Sequence, residues 1–125
     1  MANNKSVKKM TATASFVQAT DAATGTGAKS IADTMSIPIG SVVTACITVP
    51  SVSSNSSSNG ETATITVGGV SVSSALNQAA MAAGNVNTDT LGAVTTSNAN
   101  IGLTVGGEEI TEGTLDIIIE YYLID

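Results

Sequence analysis

Glu108, Glu109, Glu112 and Asp116 crowd into nine consecutive residues of this 125-residue sequence. Carboxylate oxygens suit a hard cation such as calcium. Their spacing matches no EF-hand or repeat-toxin motif, so the cluster reads as an acidic, solvated turn. Two such carboxyls could also flank a glycosidic bond. With two Tyr, one Phe and no Trp, however, the chain has few rings for a sugar to stack on. Cys46 is the sole cysteine, so no disulfide can form within the chain. A thiol nucleophile needs a base beside it, and the sequence contains no histidine. Cys46 therefore reads as a small, half-buried packing residue. The Gly68-Gly69 and Gly106-Gly107 pairs follow extended stretches and open no long helix, so they read as turns and not as phosphate loops. The expectation is a chain with no catalytic residue, no cofactor and no metal.

Composition excludes further classes. Arginine is absent, which removes the side chain best suited to bidentate phosphate recognition. A net charge of −6, with so few rings, disfavours nucleic-acid binding. The apolar runs fall far short of the roughly 20 residues that span a bilayer. The N-terminal lysines are followed by no continuous apolar segment, so no secretory signal is expected. Charge is unevenly placed. Lys5, Lys8, Lys9 and Lys29 all precede residue 30, and most of the acids lie from Glu61 onward. The body is acidic and the N-terminal segment basic. Such an arm either solubilises the chain or docks on an acidic neighbour.

The elements that must position these residues are strands. Thr114 to Asp125 is the strongest. Leu115, Ile117, Ile119, Tyr121 and Leu123 fall on one side of it, because side chains alternate along a strand. Burying those five is worth roughly 1.5–3 kcal/mol each, counted against an extended chain. This stretch is therefore expected at the centre of the core. Its second face carries Asp116, Ile118, Glu120, Tyr122 and Ile124. That mixed face suits a subunit contact.

Elsewhere, Met10, Ala12, Ala14 and Phe16 alternate with polar residues as a first strand. Residues 20–29 read as a flexible loop. Residues 31–39 form an edge strand, since Pro38 cannot donate to a ladder. Ser41 to Val49 is β-branched, with Val43, Ala45, Ile47 and Val49 predicted on its apolar face. Residues 50–60 read as a loop unable to order itself. Thr62 to Val67 alternates cleanly into a Gly-Gly hairpin. Ala75 to Ala83 is the one helix candidate, too short to stand alone. Residues 85–98 read as loop, and Asn100 to Val105 as another strand. The fold class is all-β, an antiparallel β-sandwich or jelly roll with at most one short helix. The organisation expected is a basic arm with the first strand over residues 1–30, then one sandwich domain over 31–125.

These strands carry a resemblance. SIPIGSVVTACITVPSV resembles the first sandwich strands of small virion proteins of tailed bacteriophages. There, a polar-apolar-Pro-x-Gly step precedes a Val-rich strand. GETATITVGG resembles their next strand, and LTVGGEEITEGTLDIIIEYYLID their closing hairpin, which ends in an apolar-acid-Tyr step. The likeness covers about Met35 to Asp125 and includes no active-site motif. The Ser/Asn-rich loop at 51–60 and the basic first 30 residues depart from the pattern.

The resemblance implies a non-enzymatic structural protein of the virion: a capsid decoration protein, head fibre or tail component, commonly trimeric. It implies the capsid surface as the location, after synthesis in the bacterial cytoplasm, and the major capsid protein or another virion protein as partner. The interface candidates are Lys5, Lys8 and Lys9 in the arm and Ile118, Tyr122 and Ile124 on the last strand. Only 11% of residues are charged, and interface cores are depleted in charge, so an oligomer is expected, a trimer by resemblance. The first alternative is a tail or fibre module that binds a host receptor. Such a module should present aromatic or convergent polar groups on its loops, which this chain has in short supply. A cell-surface adhesin or pilin-like subunit is the third reading.

Overall fold

The computed structural model describes residues 7–21 and 24–124, with backbone alone for Val7, Leu91 and Ile124. The elements in chain order are β1 (Val7–Val17), α1 (Gln18–Asp21), β2 (Gly27–Ser30), β3 (Asp33–Thr34), β4 (Ser36–Ile37), β5 (Val42–Asn55), β6 (Thr62–Val67), β7 (Val70–Ser71), β8 (Leu76–Asn77), β9 (Asn87–Val94), β10 (Ala99–Gly106) and β11 (Glu112–Ile124). Two antiparallel sheets result. One runs β3-β1-β11-β5-β9, and the other runs β2-β10-β6-β7 with β4 on β10 and β8 on β6. The all-β sandwich expected from alternation is the fold found.

β11 lies between β1 and β5 in the first sheet. Leu115, Ile117, Ile119 and Tyr121 point inward and are buried. Ala12, Ala14 and Phe16 of β1 join them, and Ile65, Ile101 and Leu103 come from the second sheet. The two inner faces interdigitate as one core.

Three stretches differ from expectation. Residues 75–83 form no helix. Leu76 pairs with Ala63 as part of β8, and Met81 is fully buried. Asn77 Oδ1 accepts the Ala80 N–H at 2.9 Å, so the Asn side chain holds a turn. Packing overrides the weak helix preference of the alanines. Among the described residues, the helix present is the four-residue α1. Residues 87–94, expected as loop, form the edge strand β9. Residues 50–55, also expected as loop, continue β5.

The faces of β5 also differ. Pairing with β11 shifts register between Glu120 and Tyr121, with Thr44 left as the extra residue. This bulge reverses the alternation beyond it. Cys46 and Thr48 turn inward and are buried, while Ile47 and Val49 turn outward, opposite to expectation. Burial pushes the Cys46 thiol up to about 12, with the Asp89 carboxylate adding to the shift. The thiol is thus neutral and enclosed, not half-buried.

Among the described residues, the Thr48 hydroxyl is buried with no hydrogen-bond partner. A buried hydroxyl without a partner costs about 1–3 kcal/mol. Thr48→Val keeps the shape and removes the polar atom. It is expected to raise stability by about 1 kcal/mol, read as a higher midpoint in denaturant at unchanged slope.

Candidate assembly surface

The outer face of the five-stranded sheet is built row by row from the pairings. Val94, Val42, Tyr122 and Lys9 lie side by side across β9, β5, β11 and β1. The next row is Thr90, Ala45, Glu120 and Thr11, and then come Thr88, Ile47, Ile118 and Thr13. Val49, Asp116 and Ser15 follow. An apolar stripe therefore runs over the central strands, bordered by threonines. Val94 is 62% exposed and Tyr122 37%, while Ile47, Ile118, Val42 and Val49 are half-buried by their neighbours.

The charges on this face are few and held. Lys9 Nζ lies 3.6 Å from Glu120 Oε1. The Ser15 hydroxyl donates to Asp116 Oδ1 at 3.1 Å. An exposed ion pair of this kind adds little stability, but it gives Glu120 a counter-charge within the stripe.

The acidic cluster is dispersed by the fold. Glu109 Oε1 accepts the Gly25 N–H at 2.5 Å. Glu112 is exposed on β11, and Asp116 lies on the outer face. Glu108 turns back onto the serine loop, where its Oε1 accepts the Ser56 hydroxyl at 2.7 Å and the N–H groups of Ser58 at 3.0 Å and Gly60 at 2.9 Å. The fully buried Glu61 lies beside them and takes the Ser54 hydroxyl on Oε2 at 2.8 Å. Ser56 Oγ is also 2.7 Å from Glu61 Oε1. Gly107, at φ +72°, packs against the Gly60 carbonyl so closely that a Cβ there would meet backbone. Residues 56–60 are therefore ordered by carboxylates and not by apolar burial. Among the described residues, no group of three or more His, Cys, Asp or Glu is placed to hold a metal ion.

The bond from Ser56, with those from the Gly60 and Ser58 amides, lowers Glu108 from 4.5 to about 2. A carboxyl whose folded value lies below its unfolded one stabilises fully above the unfolded value. That contribution is lost as pH falls through the folded value. The 56–60 loop is therefore expected to hold at about pH 3–4 and to loosen as pH approaches 2. Hydrogen exchange of the Ser58 and Gly60 amides against pH measures this, and Glu108→Gln should remove the pH dependence.

Of the interface candidates, Ile118 and Tyr122 lie on the outer face with Lys9 beside Tyr122. Lys8 is exposed near the start of β1. Lys5 lies outside the described residues, and so does the Ile124 side chain. The basic arm was expected to solubilise the chain or to dock on an acidic neighbour, and residues 7–13 are the part of its start that the structure describes. They pair instead with β11 of their own chain over the whole of β1, because Ala12, Ala14 and Phe16 gain burial there. Ile47, Val42, Val49 and Val94 were not singled out for this surface, and the bulge at Thr44 is what delivers Ile47 and Val49 to it.

This geometry defines a class: a two-sheet sandwich with an apolar, low-charge outer sheet face. No family model and no curated protein matches the chain. Solved structures do. A chain of the acidic stable capsid structure of Helicobacter pylori bacteriophage KHP30 superposes with a TM-score of 0.61 at 14% identity, over 97% of this chain and 96% of that one. A chain of the cyanophage Pam1 capsid asymmetric unit gives a TM-score of 0.59 at 18% identity, over 98% of this chain and 89% of that one. The fold is one found in phage capsids, as the strand patterns implied.

Proposed function

We propose that this chain is a non-enzymatic structural protein of a phage virion, a decoration protein that bridges subunits of the capsid shell. The observation that carries the reading is the outer face of the five-stranded sheet, with its stripe of Ile118, Tyr122, Ile47 and Val94. Support comes from the near-complete superposition on chains of two phage capsid structures. The sandwich lies over a junction between shell subunits and buries the stripe against them. A standard interface buries about 800 Å² per partner. Contact with two subunits at once opposes their separation when the shell is under pressure. Copies assemble around the junction as an oligomer, a trimer in this reading. Lys5 and the residues around it add an electrostatic contact with acidic shell surface, which salt weakens only in part.

The test uses shells assembled without this chain. Purified protein added to them is expected to co-sediment up to a fixed number of copies per shell and to raise the temperature at which the shells open. Failure to bind, or binding without saturation, would overturn the reading.

A further inference from the structure

The two outer strands of the five-stranded sheet differ in how their free sides are covered. On β1, the Thr13 carbonyl accepts the Met35 N–H at 2.9 Å on the side away from β11. Val17 N–H is taken by Asp21 Oδ2 at 2.9 Å, and β3 pairs at Ala14 and Ser15. The C-terminal half of this edge is therefore capped. Backbone groups alternate sides along a strand, so the N–H and C=O of Val7, Lys9 and Thr11 point the same way as those of Thr13. Among the described residues, no strand pairs with them there. Across the sheet, β9 pairs among the described residues with β5 alone, and no strand pairs with its far side.

An open edge invites another strand, and charge selects which. Lys8 and Lys9 lie on the open part of β1. Two β1 edges pairing with each other would set lysines against lysines, and two β9 edges would set Asp89 against Asp89. Like charges face to face destabilise a strand pair. The mixed pairing does the reverse. Lys8 is opposite Leu123 and Asp89 opposite Cys46, which places both on the core side of their sheet. In a β1–β9 pair between copies they fall on the same face with opposite sign.

We infer that the open half of β1 takes the β9 edge of a second copy, head to tail, so that the five-stranded sheets of neighbouring copies become continuous. A heterologous contact of this kind leaves one edge of each kind free until a ring closes. The inference concerns the chain alone in solution and does not depend on a place in the virion. It leaves the apolar outer face free for another partner.

Thr11→Pro tests it. The Thr11 N–H faces the open side and not β11, and proline is tolerated on such an edge. The variant should keep its circular dichroism and lose self-association by about 100-fold or more in sedimentation velocity, since the added strand loses a donor and meets the ring. Thr11→Ala keeps the N–H and should stay assembled. In the wild type, amides of β9 should exchange slowly, and in Thr11→Pro they should speed up although the substitution is on the opposite edge. A monomeric wild type at 100 µM would overturn the inference, as would an assembled Thr11→Pro protein. So would a monomeric variant with β9 exchange unchanged from the wild type, which would mean a different occupant. Should Thr11→Pro fail to fold, the wild type decides by itself. The Thr11 and β9 amides must slow together as protein concentration rises, and exchange independent of concentration would refute the pairing.

Discussion

Ile117→Ala is expected to remove about 2–5 kcal/mol of folding stability. Ile117 is fully buried at the middle of β11, with Ala14 of β1 on one side and Thr48 of β5 on the other. Both neighbours are small or medium in size, so neither can swing in to fill the space. The lost area and the cavity add together. Against a total of about 5–15 kcal/mol for a domain, the change is a large fraction. It should appear as a melting temperature lower by roughly 10 °C or more, with binding to shells unchanged below that temperature. A loss under about 1 kcal/mol would mean that β11 is not the centre of the core.

The next residue along gives the opposite pattern. Ile118→Lys should leave the melting temperature nearly unchanged, because a lysine on the outer face can carry its ammonium into water. Attachment to shells should weaken by several kcal/mol, or at least about 100-fold, since a buried charge without a partner is costly at an interface. Co-sedimentation with undecorated shells measures it. Undiminished binding would place the contact elsewhere on the molecule. Taken together, the neighbouring substitutions separate the two faces of one strand.

Alternation made β1, β6, β10 and β11 legible from the sequence, because in each of them apolar and polar residues follow the strand period of two. It also placed Ile118 and Tyr122 on the outer face. The bulge at Thr44 was not legible. Nothing in SVVTACITV marks the extra residue, and one such residue exchanges the faces of everything after it. Cys46 was therefore assigned to the wrong side, and Ile47 and Val49 were left out of the surface. β9 was missed because it is an edge strand whose first four residues are all polar, where little burial is needed. Residues 53–60 contain no apolar side chain, so an order supplied to 56–60 by Glu61 and Glu108 from outside the segment leaves no local pattern. The helix over 75–83 failed for a similar reason, since Leu76 and Met81 are fixed by the core and not by their neighbours in sequence.

The proposed function puts this chain on the outside of a phage capsid with its five-stranded sheet against the shell. An electron cryo-microscopy reconstruction of the particle that carries it, compared with particles made without it, tests this most directly. The expected result is a difference density the size of one two-sheet sandwich per copy, repeated over junctions between shell subunits, with the Ile118 and Tyr122 face turned inward. Density confined to the tail or to fibre tips, or no difference on the shell, would contradict it.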